Sequence, residues 1–391
     1  MSDASEPIPE PDFAVLRERA FNLRWATVAP DVIPLTAADP DLPVARAVAE
    51  AIKRYIAKPH LSYGPACGLP RFRRAISEHF AREKSASIAP SRVIATNSAA
   101  SAITLVARHL LRAGDEVVVQ DPVDFLVAES ARRAGAALRL WKPDGGRFTL
   151  DGLRAAVSER TKLISVCHPH NPLGTLWSPS EVTAIAAFAH ERGITVLADE
   201  VWSDVVLDGA PFASFAGCVR PGWIVYGLSK GYALAGLRIG AVIAPDAAAA
   251  EDFARAEGFE HTIEGASTLS QVAAVAALED ASEWRGGFLA HCARQRDLAI
   301  ARLARLKGIR VPPAPQATFV LFVDIRGTGL DEDAISERLE RIARVRVVPG
   351  SPRWFGSGAA GHIRLSLATT KAVLDEALAR IERAWPEILS R

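Results

Sequence analysis

This sequence has no excess of either charge sign. Its 391 residues carry 46 Lys+Arg against 45 Asp+Glu, a formal net charge of +1. That balance argues against a basic surface for nucleic acid and against an acidic solvating tail. Cysteine is scarce: four residues, at 67, 167, 218 and 292, with no Cys-x-x-Cys pair. A disulfide framework or a zinc ribbon is therefore not expected; free thiols in a reducing compartment are. No stretch approaches the roughly 18 apolar residues that a membrane helix needs. The opening MSDASEPIPEPDF is acidic and Pro-rich and lacks the apolar region of a secretory signal. The expectation is a cytoplasmic protein with no nucleic-acid or membrane partner.

What is present is an ordinary globular balance, 49% hydrophobic and 23% charged, in a chain long enough for two or three domains. Helical spacing of apolar residues marks 44–57 and 69–83. Short β-branched runs then appear at 92–96, 116–120, 162–166, 193–199, 223–227 and 238–244, with helical patterns at 99–112, 123–134 and 179–192. Strands alternating with helices predict βαβ units and a mostly parallel sheet covered on both faces. Beyond about 245 the pattern changes. Long helices are expected at 246–258, 266–280 and 282–306, strands at 317–325, 345–349 and 362–367, and helices from Asp331 and over 371–384. This reads as a smaller α+β domain.

Four motifs could carry chemistry. TNSAASAI (96–103) leads from a strand into a helix through small residues, and the free N–H groups near Ser98, Ala99 and Ala100 would suit a phosphate. Ser is also an ordinary N-cap. HPHNPLG (168–174) follows a strand. Its His-x-His invites a metal reading, but no third ligand stands at useful spacing, so no metal is expected. Asn171 there could donate a hydrogen bond. ITVLADEVWSD (194–204) ends a strand in Asp199-Glu200, where ligands sit in open α/β sheets; a solvated acidic pair is the plain alternative. GLSKGYALAGLRIG (227–240) places Lys230 between an apolar strand and an Ala/Leu/Gly-rich stretch. Burial there would lower the amine's pKa, as imine chemistry requires. The same residues match the G-x-S-x-G elbow of serine hydrolases at Ser229, with Asp324 and His362 formally available as partners.

Taken together, these motifs at successive strand ends resemble the class I/II aminotransferase family, fold-type-I enzymes that use pyridoxal 5′-phosphate (PLP). SYGPACGLPRFRRAI (62–76), GDEVVVQDP (114–122) and HIRLSLA (362–368) extend the resemblance over nearly the whole chain. The resemblance implies an α/β fold. A large domain holds a mostly parallel seven-stranded sheet sandwiched by helices, and a smaller α+β domain is built from both chain ends. The implied parts are an N-terminal arm over 1–45, a PLP-binding domain over 46–284 and a C-terminal small domain over 285–391. It further implies that Lys230 carries the cofactor and moves the α-proton. Asp199 would pair with the pyridine nitrogen and Asn171 would bond the ring's phenolic oxygen. Ser98, Ala99, Ala100, Ser229 and Arg238 would hold the phosphate, and Arg364 would bind the substrate carboxylate. Tyr63 would reach the phosphate of a neighbouring subunit, which makes a homodimer the expected assembly.

Three positions depart from the family pattern. Asp124 stands where an aromatic ring usually stacks on the cofactor, with Phe125 beside it as a possible substitute. Trp202 replaces a common Tyr, and indole can donate a hydrogen bond but cannot act as a phenol. Gly227 replaces a common Ser. PLTAADPDLP (34–43) and 170–209 look most like the cystathionine β-lyase-like branch. The chain is also similar to the capreomycidine-synthase type, which eliminates water from a hydroxylated arginine and closes a ring at Cβ. The expected reaction is therefore β-elimination followed by intramolecular addition on a guanidine-bearing amino acid, with Asp39 and Asp124 meeting its cationic tail. The alternatives are a 2-oxoacid-coupled aminotransferase and a C–S β-lyase.

Overall fold

The computed structural model describes residues 9–390. Along the chain run α1 (Phe13–Arg19), β1 (Ile33–Pro34), α2 (Arg46–Ile56), α3 (Pro70–Glu83), β2 (Val93–Thr96), α4 (Ala99–Leu110), β3 (Glu116–Gln120) and α5 (Phe125–Arg133). Next come β4 (Ala137–Trp141), α6 (Leu150–Ala156), β5 (Thr161–Cys167), α7 (Pro179–Glu191), β6 (Thr195–Asp199), β7 (Trp223–Gly227), β8 (Gly240–Ile243), α8 (Ala247–Ala256), α9 (Thr268–Asp280) and α10 (Ser282–Leu303). The remainder is β9 (Val320–Asp324), α11 (Glu332–Arg338), β10 (Val345–Arg346), β11 (Val348–Pro349), α12 (Pro352–Phe355), β12 (His362–Ser366) and α13 (Lys371–Leu389).

Seven strands form one sheet in the order β2-β8-β7-β6-β5-β3-β4. Only β8 runs against its neighbours. Strands β3, β6 and β7 are buried along almost their whole length, as expected for a parallel sheet covered on both faces. Because β2, β3, β5, β6 and β7 run the same way, Thr96, Gln120, Cys167, Asp199 and Gly227 all end at one edge of the sheet. In open α/β sheets that edge is where ligands bind.

A second core gathers Trp25, Ile33 and Leu35 with Leu321, Val323, Ile335, Leu374 and Leu378. It therefore takes residues from both ends of the chain. The run 345–349, read in sequence as one strand, divides: β10 pairs parallel with β1, and β11 pairs antiparallel with β12. Helix α10 links the two cores. Trp284, Phe288 and Cys292 lie in the first, Ala299 and Leu303 in the second. The final helix runs past the expected 384 to Leu389, because Trp385 and Ile388 are buried in that second core.

Behind the ligand edge lies a buried ion cluster. The Asp204 carboxylate accepts from Lys84 Nζ at 2.8 Å, Tyr226 Oη at 2.5 Å and Arg285 at 3.3 Å, and lies 2.7 Å from His79 Nε2. These partners hold Asp204 well below the usual carboxylate range despite its burial, and burial pushes His79 down toward its neutral form. The cluster joins α3, β7 and α10. It also backs Gly231, whose added Cβ would meet Asp204 Cβ at 2.5 Å. Removing the shared anion would strand buried cations, which typically costs about 3–5 kcal/mol. Asp204→Ala should therefore lower the free energy of unfolding by an amount of that order, measured by urea unfolding followed by tryptophan fluorescence.

Candidate active site

A cavity of about 480 Å³ opens at the carboxyl edge of the sheet. Its walls include Asp39, Ser98, Ala99, Ala100, Asp124, Phe125, Asn171, Asp199, Trp202, Ser229, Lys230, Arg238 and Arg364. Every residue that the family resemblance assigned to the cofactor or the substrate is therefore in one place except Tyr63, which is 90% exposed and outside this wall.

One side of the cavity is the start of α4. Ser98 caps the helix, its Oγ accepting from Ser101 N at 3.1 Å and from Arg238 at 3.0 Å. Ser98 has φ 110°, a strained value for a residue with a side chain. The first-turn N–H groups of Ala99 and Ala100 have no acceptor within the helix, so they are available to an anion. Gly240 makes this cradle possible: a Cβ there would stand 2.7 Å from Ala99 N. Gly227 is similarly constrained. Its added Cβ would meet Val201 at 3.0 Å and Ala99 at 3.1 Å, so a larger residue at this departure from the family pattern requires those side chains to yield by a few tenths of an ångström.

Opposite the cradle are charges without full partners. Asp199 accepts from Val201 N at 3.1 Å, and burial raises its pKa to about 7. The Lys230 ammonium donates to Ala38 O at 2.6 Å and lies 5.6 Å from the Trp202 ring centroid. Burial lowers the Lys230 pKa, against the pull of Asp39 first and Asp124 next. Arg364 donates to Thr36 O at 3.1 Å and Asn171 Oδ1 at 3.3 Å and stacks 5.0 Å from the Phe355 ring centroid. Its Nε has no partner among the described residues, and burial lowers its pKa to about 10.

The two acids expected to meet a substrate tail differ. Asp124 caps α5 through Leu126 N at 3.2 Å and accepts from Asn171 Nδ2 at 3.0 Å, so both its oxygens are engaged. Asp39 has no side-chain hydrogen-bond partner among the described residues, and burial raises its pKa. Phe125 is 38% exposed and meets Trp354 edge-on at 5.9 Å.

The wall holds groups that the sequence reading did not single out: Asn22, Leu23, the Ala38 carbonyl, Trp354 and Phe355. The loop presenting Ala38 and Asp39 is pinned by buried Arg24, which donates to Pro34 O at 2.9 Å and pairs with Asp41. The available signal was the run of acids in AADPD, where one carboxylate needed a buried cation.

The serine-hydrolase reading fails on placement. Ser229 lines the cavity, but Asp324 and His362 face one another across β9 and β12 and do not line it. Arg326 binds Asp324, and His362 stacks on Phe322 at 4.6 Å. His168 and His170 are packed against aromatic rings, Trp177 and Phe212 for the first and Phe148 for the second. Burial pushes both pKa values to about 3.

A family model described as aminotransferase class I and II matches residues 30–381. The chain belongs to that family. It is 32% identical over 376 residues to a probable aspartate/prephenate aminotransferase of Aquifex aeolicus, covering 92% of each chain. It is 29% identical over 413 residues to a putative cystathionine beta-lyase of Mycobacterium tuberculosis, covering 97% of this chain and 98% of the other. Cystalysin from Treponema denticola, which contains PLP, shares the fold at TM-score 0.87 and 19% identity, over 98% of this chain and 99% of that one.

The enzyme is PLP-dependent, of transaminase or lyase type, and its residues fit the cofactor. A helix N-terminus with Arg238 suits a phosphate, and a buried carboxyl lacking a cation suits a protonated pyridine.

Two predictions follow from this wall. Gly240→Ala should displace the start of α4 and weaken PLP binding by about tenfold or more, measured by fluorescence titration of the cofactor-free protein. The second concerns pH. Folding raises Asp199 from an ordinary 3.8 to about 7, so its contribution to stability is complete below pH 3.8 and lost as pH rises through about 7. Relative to Asp199→Asn, the cofactor-free parent should therefore lose melting temperature between about pH 5.5 and about pH 8. The Asn variant is the reference because Glu200, raised to about 7, and the buried histidines His168 and His170, lowered to about 3, change stability in opposite directions over the same range. Scanning calorimetry at the two pH values measures both.

Proposed function

We propose that this enzyme acts on a β-hydroxylated, guanidine-bearing α-amino acid, removing water and closing a ring at Cβ, as enzymes of the capreomycidine-synthase type do. The observation that carries the reading is the charge arrangement of the cavity. Arg238 is matched by a phosphate, Asp199 by a pyridinium and Arg364 by an α-carboxylate, while Asp124 is engaged by Asn171 and the α5 cap. Asp39 is left as an unbonded carboxylate in the wall, and a cationic substrate tail complements it. The second carboxylate of a dicarboxylic substrate would instead meet that anion.

Bound PLP supplies the electron sink that stabilises negative charge at the α-carbon. The protein's residues do the rest. Arg364 binds the α-carboxylate in a fixed orientation, and Asn171 donates to the ring oxygen. Lys230, with its pKa lowered by burial, takes the α-proton. The β-hydroxyl leaves with a proton as water. A guanidine nitrogen adds to Cβ and loses its proton, and Lys230 returns one to the α-carbon. The product is the substrate less one water, with no net oxidation. Phe125, on the cavity wall, would help enclose the ring, Trp202 packs against Lys230, and Ser98, Ala99, Ala100 and Ser229 would help hold the phosphate.

The proposed assembly is a homodimer. Tyr63 is 90% exposed, close in sequence to exposed Ile56 and Leu61, and would complete the phosphate site of a partner subunit. We place the enzyme in the cytoplasm, in keeping with its four free cysteines. Among the described residues no helix is long and apolar enough to cross a membrane.

A second reading, a 2-oxoacid-coupled aminotransferase, is favoured by similarity to the Aquifex relative, a probable aspartate/prephenate aminotransferase, and a C–S β-lyase by similarity to the Mycobacterium relative, a putative cystathionine beta-lyase. Incubation with β-hydroxyarginine separates the three. The proposed reaction gives loss of one water without ammonia, keto acid or sulfide. Keto acid that depends on an added 2-oxoacid would replace it with transamination, and sulfide from cystathionine or cysteine would favour lyase chemistry. Asp39→Asn should raise KM for the guanidine substrate about tenfold or more, the effect of losing about 1.4 kcal/mol. Lys230→Ala should abolish borohydride-trapped cofactor; cofactor trapped on another lysine would overturn its assignment.

A further inference from the structure

Three polar groups stand in line where the large sheet meets β12: the Asp124 carboxylate, the Asn171 amide and the Arg364 guanidinium. Asp124 Oδ2 accepts from Asn171 Nδ2 at 3.0 Å, and Asn171 Oδ1 accepts from Arg364 at 3.3 Å. The backbone repeats the first link, Asp124 N donating to Asn171 O at 3.2 Å. The other Asp124 oxygen caps α5, so the carboxylate cannot turn away without uncapping a helix. An ionised carboxylate can only accept and a guanidinium can only donate. Between them an amide has one satisfactory orientation. Its flip would turn oxygen toward the anion and N–H toward the cation, losing both bonds.

We propose that Asp124 is a positioning residue that acts through Asn171. Its carboxylate fixes which way the amide faces. Asn171 Oδ1 is thereby held as the acceptor that aims Arg364, and the second Nδ2 hydrogen, without an acceptor among the described residues, is kept for an oxygen inside the cavity. The carboxylate at a position usually given to a stacking ring thus serves the α-carboxylate site, and the cationic tail is left to Asp39. Arg364 already rests on Thr36 O and the Phe355 ring. Asn171 supplies the remaining constraint.

This inference rests on the carboxylate role of Arg364 in the reading above, but not on the identity of the amino-acid substrate. Its test uses acetate, which has no amino group and no tail, titrated into the PLP-loaded enzyme by calorimetry. The sign of the effect separates two roles for Asp124. If it is only a nearby negative charge, Asp124→Asn removes repulsion and acetate binds more tightly. If it positions Asn171, Asp124→Asn frees the amide and acetate binds about tenfold more weakly, the size of one hydrogen bond to a charged group. On an Asn171→Ala background the same substitution should give no weakening, because the group it acts through is gone. Asparagine remains a good helix cap, so α5 should persist, and matched thermal unfolding of the variants checks this. Tighter or unchanged binding in the Asn171 enzyme would overturn the proposal, as would equal weakening in both backgrounds. If cyclisation fails on hydroxyarginine while acetate behaves as stated, the substrate assignment falls and the positioning role stands.

Discussion

The site depends on charges that are taken out of water and kept from neutralising one another. Asp199, Lys230 and Arg364 each shift toward the uncharged form because they are buried. Burial without a partner is costly, and a direct ion pair would remove the cost. The protein instead spreads these groups over β6, the turn after β7, and β12. Each meets a neutral dipole: Val201 N for Asp199, Ala38 O for Lys230, Thr36 O for Arg364. The energetic need passes to the ligand. In the proposed assignment a pyridinium answers Asp199 and a carboxylate answers Arg364, supplying the opposite charges that the fold withholds.

The Asp204 cluster shows the contrasting solution in the same molecule. There a buried carboxylate is surrounded by Lys84, Arg285, Tyr226 and His79, and its pKa falls although it too is buried. The carboxylates of the two clusters, Asp199 and Asp204, come from the end of β6 and the turn just after it, so location alone does not separate structural from reactive charge. The separation comes from whether protein partners close the shell. A closed shell stabilises the sheet from behind. An open one faces a cavity of about 480 Å³.

Much of this was legible in the sequence for a physical reason. A parallel sheet collects the residues after its strands at one edge, so reading strands in order also reads the wall in order. Lys230, Asp199, Asn171 and the Ser98 turn each follow an apolar run and meet in space. Elements were missed where that pattern is weak. The edge strand β4, ALRLW, is only partly buried and carries Arg139, so it lacks the apolar signature of the inner strands. The short helices α1 and α6 have seven residues each, too few to display a helical period, and depend on side-chain caps from Asp12 and Thr149. The division of 345–349 was hidden because a local run of valines does not reveal that its halves pair with different strands.

Asp39 and Asp124 mark where sequence reading reaches its limit. Both are acids near a proline, and both read as candidates for a cationic tail. What distinguishes them is long-range: the turn carrying Asn171 is separated from Asp124 by a whole βαβ crossover, yet it brings an amide to the carboxylate at 3.0 Å. Asp39 sits on a loop whose neighbouring acid, Asp41, has taken the buried cation Arg24. With Asp41 holding the loop, the Asp39 carboxylate is left free. One acid is thus tied to the amide that serves the carboxylate end of a substrate, and the other remains open at a different part of the wall. In the proposed reading, two anions of similar local sequence therefore divide between orienting a substrate and selecting it, because selection requires a charge that the protein itself leaves unsatisfied.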